Sequence, residues 1–279
     1  MTSSPTLTFN DGNTIPQLGY GVWQVEDDVA EKVVRQAFEA GFRHIDTAKI
    51  YGNESGVGRA IASSGLSAEE IFITTKLWNA DQGYESTLAA FEDSMDRLGL
   101  ETLDLYLIHW MQPKQDKYVD TWKALIELQK RGRVKSIGVS NFSIEGLQRL
   151  IDETGVVPAI HQVELHPFFN QSELRAFDAS QGILTQAWSP LGQGGELLEN
   201  ATIAEIAAKH HATPAQVVIA WHLAIGNVVI PKSVTESRIQ ENFAALSVKL
   251  DEADVEAING LDRGAEGRIG PDPAVSDFA

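Results

Sequence analysis

Apolar residues recur along this chain at two different spacings. Short runs that are apolar almost throughout, such as Leu103–Ile108, predict buried β-strands. Longer segments such as Tyr84–Leu98 carry apolar residues at helical spacing, and a glycine such as Gly99 follows where the helix is expected to end. The two kinds of segment alternate, which is typical of a parallel α/β sheet.

The alternation amounts to about eight β/α units, the number that closes a barrel. The predicted strands are Leu18–Gly21, His44–Asp46, Ile71–Thr75, Leu103–Ile108, Val134–Val139, Ala159–Val163, Leu184–Ala187 and Val228–Ile230. The predicted helices are Asp28–Ala40, Glu54–Ser64, Tyr84–Leu98, Lys117–Arg131, one from Ser143, Gln171–Gln181, Ala201–His210, Pro214–Ile225, Thr235–Leu246 and Asp251–Asn259. We therefore expect an α/β fold, a (β/α)8 TIM barrel that spans residues 1–279 as a single domain.

Two segments lie outside this repeat. Thr6–Phe9 and Thr14–Pro16 flank a glycine-bearing turn, which predicts an N-terminal β-hairpin. At the other end, the helix from Asp251 is extra to the barrel, and the segment from Arg263, rich in Gly, Pro and Asp, predicts an irregular C-terminal tail over the barrel.

Several predicted strands stop abruptly at a polar residue that can take part in proton chemistry. Asp46, Lys76 and His109 each follow an apolar run, and Tyr51 follows Asp46 closely. The carboxyl ends of the strands form the reactive face of a (β/α)8 barrel. These four residues are therefore expected to converge at one site.

Composition and charge exclude several classes of protein and partner. The chain has no cysteine, which excludes disulfide scaffolds, thiolate metal sites and cysteine nucleophiles. Its net charge of −17 argues against nucleic-acid partners and anionic membrane surfaces. The first cationic residue is Lys32 and no apolar run is long enough to span a bilayer, so we expect a soluble cytoplasmic protein. The histidines show no ligand spacing typical of a metal site.

Three ordered motifs resemble those of the aldo-keto reductases. They are Gly41–Ala48, Lys135–Phe142 and Ile230–Ser233. The chain is particularly similar to the bacterial branch that includes the 2,5-diketo-D-gluconate reductases, through Ile15–Gly21 and Ser189–Gly194. The resemblance implies an enzyme that reduces aldehydes or ketones with NADPH, and it suggests a monomer.

The resemblance implies a role for each of the four strand-end residues. Tyr51 would be the general acid, although a free tyrosine is a weak acid near neutral pH. Lys76 would lower the pKa of Tyr51, and Asp46 would hold the Lys76 ammonium group. His109 would donate a hydrogen bond to the substrate carbonyl oxygen. Lys49 also lies close to Tyr51, but the family motif leaves its position free, so Lys76 is preferred.

The resemblance also implies that NADPH binds in an extended conformation across the mouth of the barrel. The sequence has no Gly-x-Gly-x-x-Gly motif after its first strand, so a Rossmann mode of binding is not expected. Ser140, Asn141 and Gln162 would bind the nicotinamide carboxamide, and Trp188 would stack on its ring. Three further residues would line the pyrophosphate: Ser189, Leu191 and Gln193.

The last predicted strand carries residues suited to the 2′-phosphate of NADPH. Lys232, Ser233 and Arg238 group two cations and a hydroxyl near a helix start. Glu241 and Asn242 match the positions that contact adenine in the family. NADPH is therefore expected to be preferred over NADH.

An apolar pocket is expected around the nicotinamide. Its predicted wall residues are Trp23, Ile50, Trp78, Trp110 and Met111. Many relatives carry proline where this chain has Met111, so the substrate of any one relative does not carry over to this chain. The small-molecule substrates that stay open are keto-sugar acids, α-dicarbonyls, short aldehydes and keto esters.

Two alternatives to a reductase are compatible with parts of the sequence. Glu164 and His166, near a strand end, would suit a barrel lyase or glycosidase, but that leaves Lys76 and Lys232 unexplained. A non-catalytic, NADPH-binding regulatory subunit would explain the cofactor residues alone, and the intact set of four strand-end residues argues against it.

Overall fold

The computed structural model describes residues 3–278, and its main sheet contains eight parallel strands. They are β3 (Tyr20–Gly21), β4 (His44–Asp46), β5 (Phe72–Leu77), β6 (Leu103–Ile108), β7 (Val134–Ser140), β8 (Ile160–Glu164), β9 (Leu184–Trp188) and β10 (Val228–Val229). Each strand pairs with its sequence neighbour, in the order β3 to β10. The strands read as nearly continuous buried runs because helices cover the outer face of the sheet.

Backbone hydrogen bonds between the first and last strands close the sheet. Leu18 forms a parallel bridge with Val229, and the Gly19 amide donates to the Val229 carbonyl at 2.9 Å. The Gly21 amide donates to the Pro231 carbonyl at 3.2 Å. The expected (β/α)8 barrel is confirmed.

Ten α-helices lie between Ser3 and Phe278. They are α1 (Asp27–Ala40), α2 (Glu54–Ser63), α3 (Tyr84–Leu98), α4 (Tyr118–Lys130), α5 (Ile144–Thr154), α6 (Ser172–Ser180), α7 (Ala201–Lys209), α8 (Pro214–Ala224), α9 (Glu236–Ala244) and α10 (Glu252–Asn259). Local chemistry sets several of their ends. Thr213 and Gln216 form a capping box at the start of α8, and Gly41 ends α1 with a φ of 116° that a side chain would disfavour.

The segments outside the repeat also follow the sequence pattern. Strands β1 (Thr6–Thr8) and β2 (Thr14–Pro16) form the antiparallel hairpin. The segment from Arg263 differs in one respect, because it begins with a 3-10 helix over Gly264–Gly267 before it becomes irregular. We call residues 268–278 the tail.

Two absences apply to residues 3–278. No helix there combines the length and apolarity that crossing a membrane requires. The same residues contain no cluster of His, Cys, Asp or Glu side chains arranged to hold a metal ion.

Candidate active site

Strands β4, β5 and β6 bring the four predicted catalytic residues together at one end of the barrel. Asp46 ends β4, Lys76 lies near the end of β5, and His109 directly follows β6. Tyr51 closes a 3-10 helix that follows β4 and returns over the barrel mouth. The Tyr51 and His109 rings meet edge to face, with their centroids 5.6 Å apart.

A buried ion pair lies beneath the Tyr51 hydroxyl. The Lys76 ammonium group is fully buried and donates to Asp46 Oδ1 at 2.5 Å, to the Thr47 carbonyl at 2.9 Å and to Tyr51 Oη at 3.5 Å. The second Asp46 oxygen accepts from Gln162 Nε2 at 2.7 Å. This network satisfies both oxygens of Asp46, which a charge without access to water requires.

Lys49, the rival to Lys76, has a different partner. Its ammonium group lies 2.6 Å from the Asp81 carboxylate, which belongs to the 3-10 helix Asn79–Asp81. The pair joins the loop that carries Tyr51 to the loop that carries Trp78. Lys49 is therefore engaged at the rim, whereas Lys76 contacts the phenol.

Burial and charge act in opposite directions on these groups. Burial raises the pKa of Tyr51 above 10, and the nearby Lys76 cation only partly offsets that rise. As expected, the Lys76 cation lowers the pKa of Tyr51, but burial raises that pKa by more. Burial also opposes ionisation of Lys76, but Asp46 and Tyr51 together raise its pKa, so the ammonium form persists.

His109 is a neutral imidazole at neutral pH. Burial, reinforced by the Lys76 cation, lowers its pKa well below 6.5. Its Nδ1 is buried and has no hydrogen-bond partner among residues 3–278. A neutral imidazole in this position can donate one hydrogen bond to a carbonyl oxygen without carrying a charge.

The predicted nicotinamide residues lie on the next three strands. Ser140 and Asn141 are buried at the end of β7, Gln162 is buried in the middle of β8, and Trp188 is half-buried at the end of β9. Trp188 Nε1 donates to Asn141 Oδ1 at 2.8 Å, and Asn141 Nδ2 donates to Ser140 Oγ at 2.9 Å. The Gln162 amide nitrogen donates to Asp46 and to Gln186, and its contact with the carboxamide stays a prediction.

Left-handed backbone follows two of these strands. Asn141 has a φ of 56° and Ser189 a φ of 48°, a region that non-glycine residues seldom occupy. Such conformations persist when the surrounding structure holds them, and they concentrate at functional sites. In the loop after Ser189, Leu191 is half-buried against the core and Gln193 is exposed.

Two exposed cations mark the other end of the proposed cofactor path. Lys232 and Arg238 form no ion pair with any acidic group in residues 3–278, despite the net charge of −17. Ser233 lies beside them, half-buried. This donor set fits a phosphate monoester, which binds through charge-assisted hydrogen bonds. The adenine positions also lie here: Glu241 accepts from Thr213, and Asn242 is buried.

The predicted substrate wall is formed mainly by aromatic side chains. Trp23 and Ile50 are exposed at the rim, Trp78 packs edge to face on His109 at 5.3 Å, and Trp110 is buried beside it. Met111 is the exception. Its sulfur lies 3.9 Å from Ser143 Oγ and packs against the start of α5, so Met111 contributes to the core and not to the wall.

Glu164, the residue considered for a lyase or glycosidase, holds the tail. Its two carboxylate oxygens accept from the backbone amides of Ile269 and Gly270 at 2.6 and 2.7 Å. A Cβ at Gly270 would lie 2.6 Å from the Trp188 ring, so only glycine allows this close approach. A cavity of about 330 Å³ adjoins Trp188, Asn141 and the tail.

Sequence reasoning missed three residues of this site. Gln186 accepts from Gln162, Asn79 binds the tail, and Phe278 packs on the aromatic wall. Gln186 lies at a regular strand position, which is the signal that could have found it. Nothing in the sequence near Asn79 or Phe278 indicates that they meet.

Comparisons with known proteins agree with this arrangement. Residues 16–263 match the model of the aldo/keto reductase family. An aldo-keto reductase of Mycolicibacterium smegmatis is 54% identical over 275 residues, with 99% of both chains covered. Methylglyoxal reductase DkgA of Salmonella typhimurium is 52% identical over 273 residues, covering 97% of this chain and 98% of the relative.

A solved structure extends the agreement to three dimensions. The crystal structure of a Gox0644 mutant in complex with NADPH has a TM-score of 0.95 and 50% identity, covering 99% of this chain and 100% of that one. Motifs, barrel and relatives agree over nearly the whole sequence, and this chain belongs to the aldo/keto reductase family.

Proposed function

We propose that this aldo/keto reductase reduces aldehydes and ketones to alcohols with NADPH, and that Tyr51 is the general acid. One observation carries the proposal. The Tyr51 hydroxyl lies at the barrel mouth, 3.5 Å from the buried Lys76 ammonium group, and the Tyr51 ring packs edge to face with neutral His109. A phenol that must release a proton and then exist briefly as an anion needs such a neighbouring cation.

The chain's own residues account for the proton half of the reaction. NADPH, when bound, supplies the hydride that adds to the carbonyl carbon. The Tyr51 hydroxyl gives its proton to the carbonyl oxygen, which completes the alcohol, and the resulting tyrosinate faces Lys76 until solvent returns a proton. Neutral His109 donates a hydrogen bond to the same oxygen, an interaction that strengthens as negative charge develops there.

The proposed NADPH site uses residues from β7 to β9 and from the segment between β10 and α9 with the start of that helix. Ser140 and Asn141 would bind the carboxamide, Trp188 would stack on the nicotinamide ring, and Lys232 with Arg238 would bind the 2′-phosphate. Gln162 connects this site to the proton chemistry, because the same side chain donates to Asp46. The NADPH complex of the similar structure supports this choice of cofactor.

For the substrate class, we propose small α-dicarbonyls and related aldehydes. The relative named methylglyoxal reductase supports this choice. We also propose a monomer, as the family resemblance suggests, and a cytoplasmic location, as the sequence predicts.

The test is NADPH oxidation with methylglyoxal, followed at the reduced-nicotinamide absorbance band. Replacing Tyr51 with phenylalanine removes one hydroxyl and is expected to lower kcat about 10²–10⁴-fold while NADPH affinity stays unchanged, because general acid catalysis contributes in that range. Tyr84→Phe, on partly exposed α3, is the matched control and should keep wild-type rates.

Other results would point elsewhere. NADPH binding without turnover over a broad panel of carbonyl compounds would favour the regulatory subunit. Absence of nicotinamide affinity would refute the reductase and return the question to lyases and hydrolases.

A further inference from the structure

A histidine and an aspartate form a buried pair on the outer side of β8. His161 lies on β8 and Asp178 on α6, and neither side chain is exposed to solvent. His161 Nδ1 lies 3.2 Å from both carboxylate oxygens of Asp178, and Thr185 Oγ1 donates to one of them at 3.0 Å. Successive strand residues face opposite sides of a sheet, so His161 faces α6 while Gln162 faces the barrel interior.

The other ring nitrogen of His161 holds the backbone where β7 ends. The Phe142 amide donates to His161 Nε2 at 3.2 Å, and the Asn141 amide donates to the Gln162 carbonyl at 2.9 Å. The last pair of the ladder between β7 and β8 is Ser140 with Gln162, so the Phe142 amide lies beyond it. A buried amide requires an acceptor, and beyond the ladder the His161 side chain provides one.

These contacts determine which nitrogen of His161 carries the proton. A backbone amide can only donate, so Nε2 accepts from Phe142 and carries no hydrogen. The proton of the neutral ring is then on Nδ1, where it faces the Asp178 carboxylate. The hydrogen bond made by one ring nitrogen sets the tautomer of the whole ring. Asp178 therefore keeps His161 in the form that can hold the Phe142 amide.

The backbone that His161 holds carries Asn141, which connects two parts of the proposed site. Asn141 Nδ2 donates to the His109 carbonyl at 2.9 Å, and Asn141 Oδ1 accepts from Trp188 Nε1 at 2.8 Å. The Asn141 φ of 56° is left-handed, a conformation that persists when the surrounding structure holds it. A shift of the peptide between Asn141 and Phe142 would therefore disturb the contacts of both His109 and Trp188.

We propose that His161 is a positioning residue for hydride transfer, and that Asp178 acts through it by fixing its tautomer. Neither residue contacts the substrate or NADPH in this proposal. Their effect reaches the site through Asn141, which holds the His109 backbone and the Trp188 ring. The inference rests on the proposed reductase function and adds two residues that lie outside the barrel interior.

Three variants separate a positioning role from a purely structural one. His161→Leu/Asp178→Ala, the double variant, removes both polar groups, so no unpaired buried charge remains to unfold the protein. His161→Gln keeps an oxygen that can accept from the Phe142 amide and an amino group that can donate to Asp178, so it should restore most of the rate. His210→Gln is the matched control, because His210 pairs with Asp254 at 2.6 Å outside the proposed site.

The first measurement is nitrogen-15 NMR of the ligand-free protein. Wild-type His161 is expected as the Nδ1–H tautomer, and its ring signals are assigned by their loss in His161→Gln. This measurement on the wild type does not depend on how the double variant folds. In the double variant the indole N–H signal of Trp188 should shift, because its acceptor Asn141 moves, whereas His161→Gln and His210→Gln should leave that signal in place.

The second measurement is single-turnover oxidation of NADPH with methylglyoxal. In the double variant the rate constant is expected to fall roughly 10–100-fold, since a misplacement of about 1 Å can cost about 100-fold. The affinity for NADPH should hardly change, because Lys232 and Arg238 are proposed to bind the other end of the cofactor. A loss of folded protein alone would lower the amplitude and leave the rate constant of the remaining enzyme unchanged.

Three results would overturn the inference while the wild-type enzyme still oxidises NADPH with methylglyoxal. The first is an Nε2–H tautomer for His161 in the wild type. The second is a folded double variant with the wild-type rate constant. The third is a loss of rate that His161→Gln or His210→Gln shows in equal measure. Absence of methylglyoxal turnover in the wild type would instead refute the proposed function itself.

Discussion

Replacing Lys76 with methionine removes a buried charge whose partners the fold holds in place. Methionine keeps much of the length of the lysine side chain but cannot donate to Asp46, to the Thr47 carbonyl or to Tyr51. The Asp46 carboxylate is 2% exposed and would retain only Gln162 as a side-chain donor. The variant therefore contains a buried anion without its cation.

Removing one partner of a buried ion pair costs about 3–5 kcal/mol, because the remaining charge stays desolvated. A protein of ordinary stability, about 5–15 kcal/mol, would still fold with this loss. The deficit should depend on pH. Burial already raises the pKa of Asp46, and without Lys76 nothing cationic opposes that rise. Since the folded state then holds the Asp46 proton more tightly than the unfolded state, the deficit should shrink as the pH falls from 8 to 5.

The assay is urea-induced unfolding, followed by tryptophan fluorescence and by circular dichroism so that coincident curves establish a single transition. The double variant Asp46→Asn/Lys76→Met serves as the matched control. With no unpaired charge left, it should recover roughly 2 kcal/mol or more of the loss in Lys76→Met. A loss below about 1 kcal/mol in Lys76→Met, or a deficit independent of pH and of Asp46, would refute the reasoning.

Two further predictions concern the cofactor and acid stability. Arg238→Ala should weaken NADPH binding roughly 10–100-fold and NADH binding hardly at all, because a hydrogen bond between charged groups contributes about 1.5–3 kcal/mol. Fluorescence titrations with both cofactors measure the two affinities. Equal losses of affinity for NADPH and NADH would contradict a contact between Arg238 and the 2′-phosphate. Burial lowers the pKa of His222 to about 3, so the unfolded state takes up a proton below pH 6.5 that the folded state refuses. Between pH 7 and pH 5, the free energy of unfolding should therefore fall by about 2 kcal/mol less in His222→Gln than in the wild type. If the free energy of unfolding changes equally with pH in both proteins, His222 is not the residue that causes this loss.

The sequence by itself determined the order of elements and the reactive end of the barrel. The period of apolar residues is a local property, so it located Tyr84–Leu98 and Leu103–Ile108 to the residue. Parallel strands in a closed barrel share one carboxyl edge. Residues at strand ends, such as Asp46 and Lys76, were therefore predictable neighbours although 30 positions separate them.

Only the tertiary structure decided how neighbouring side chains divide their roles. Lys49 is close to Tyr51 in the sequence, and Lys76 is close to it because their strands are neighbours in the barrel. The structure pairs Lys49 with Asp81 and buries Lys76 beneath the phenol. Met111 points into the core although it follows Trp110 directly. The direction of a side chain in a loop depends on what packs against it, and periodicity carries no such information.

The pKa of Tyr51 and the position of Phe278 were beyond the sequence for a related reason. Burial outweighs the Lys76 cation at Tyr51, and burial is a property of the assembled barrel. The contact from Asn79 to Phe278 spans 199 positions of the chain, through a segment without periodic structure. Local pattern thus determined which residues reach the mouth of the barrel, while desolvation and long-range packing decided their charge states and which of them form its wall.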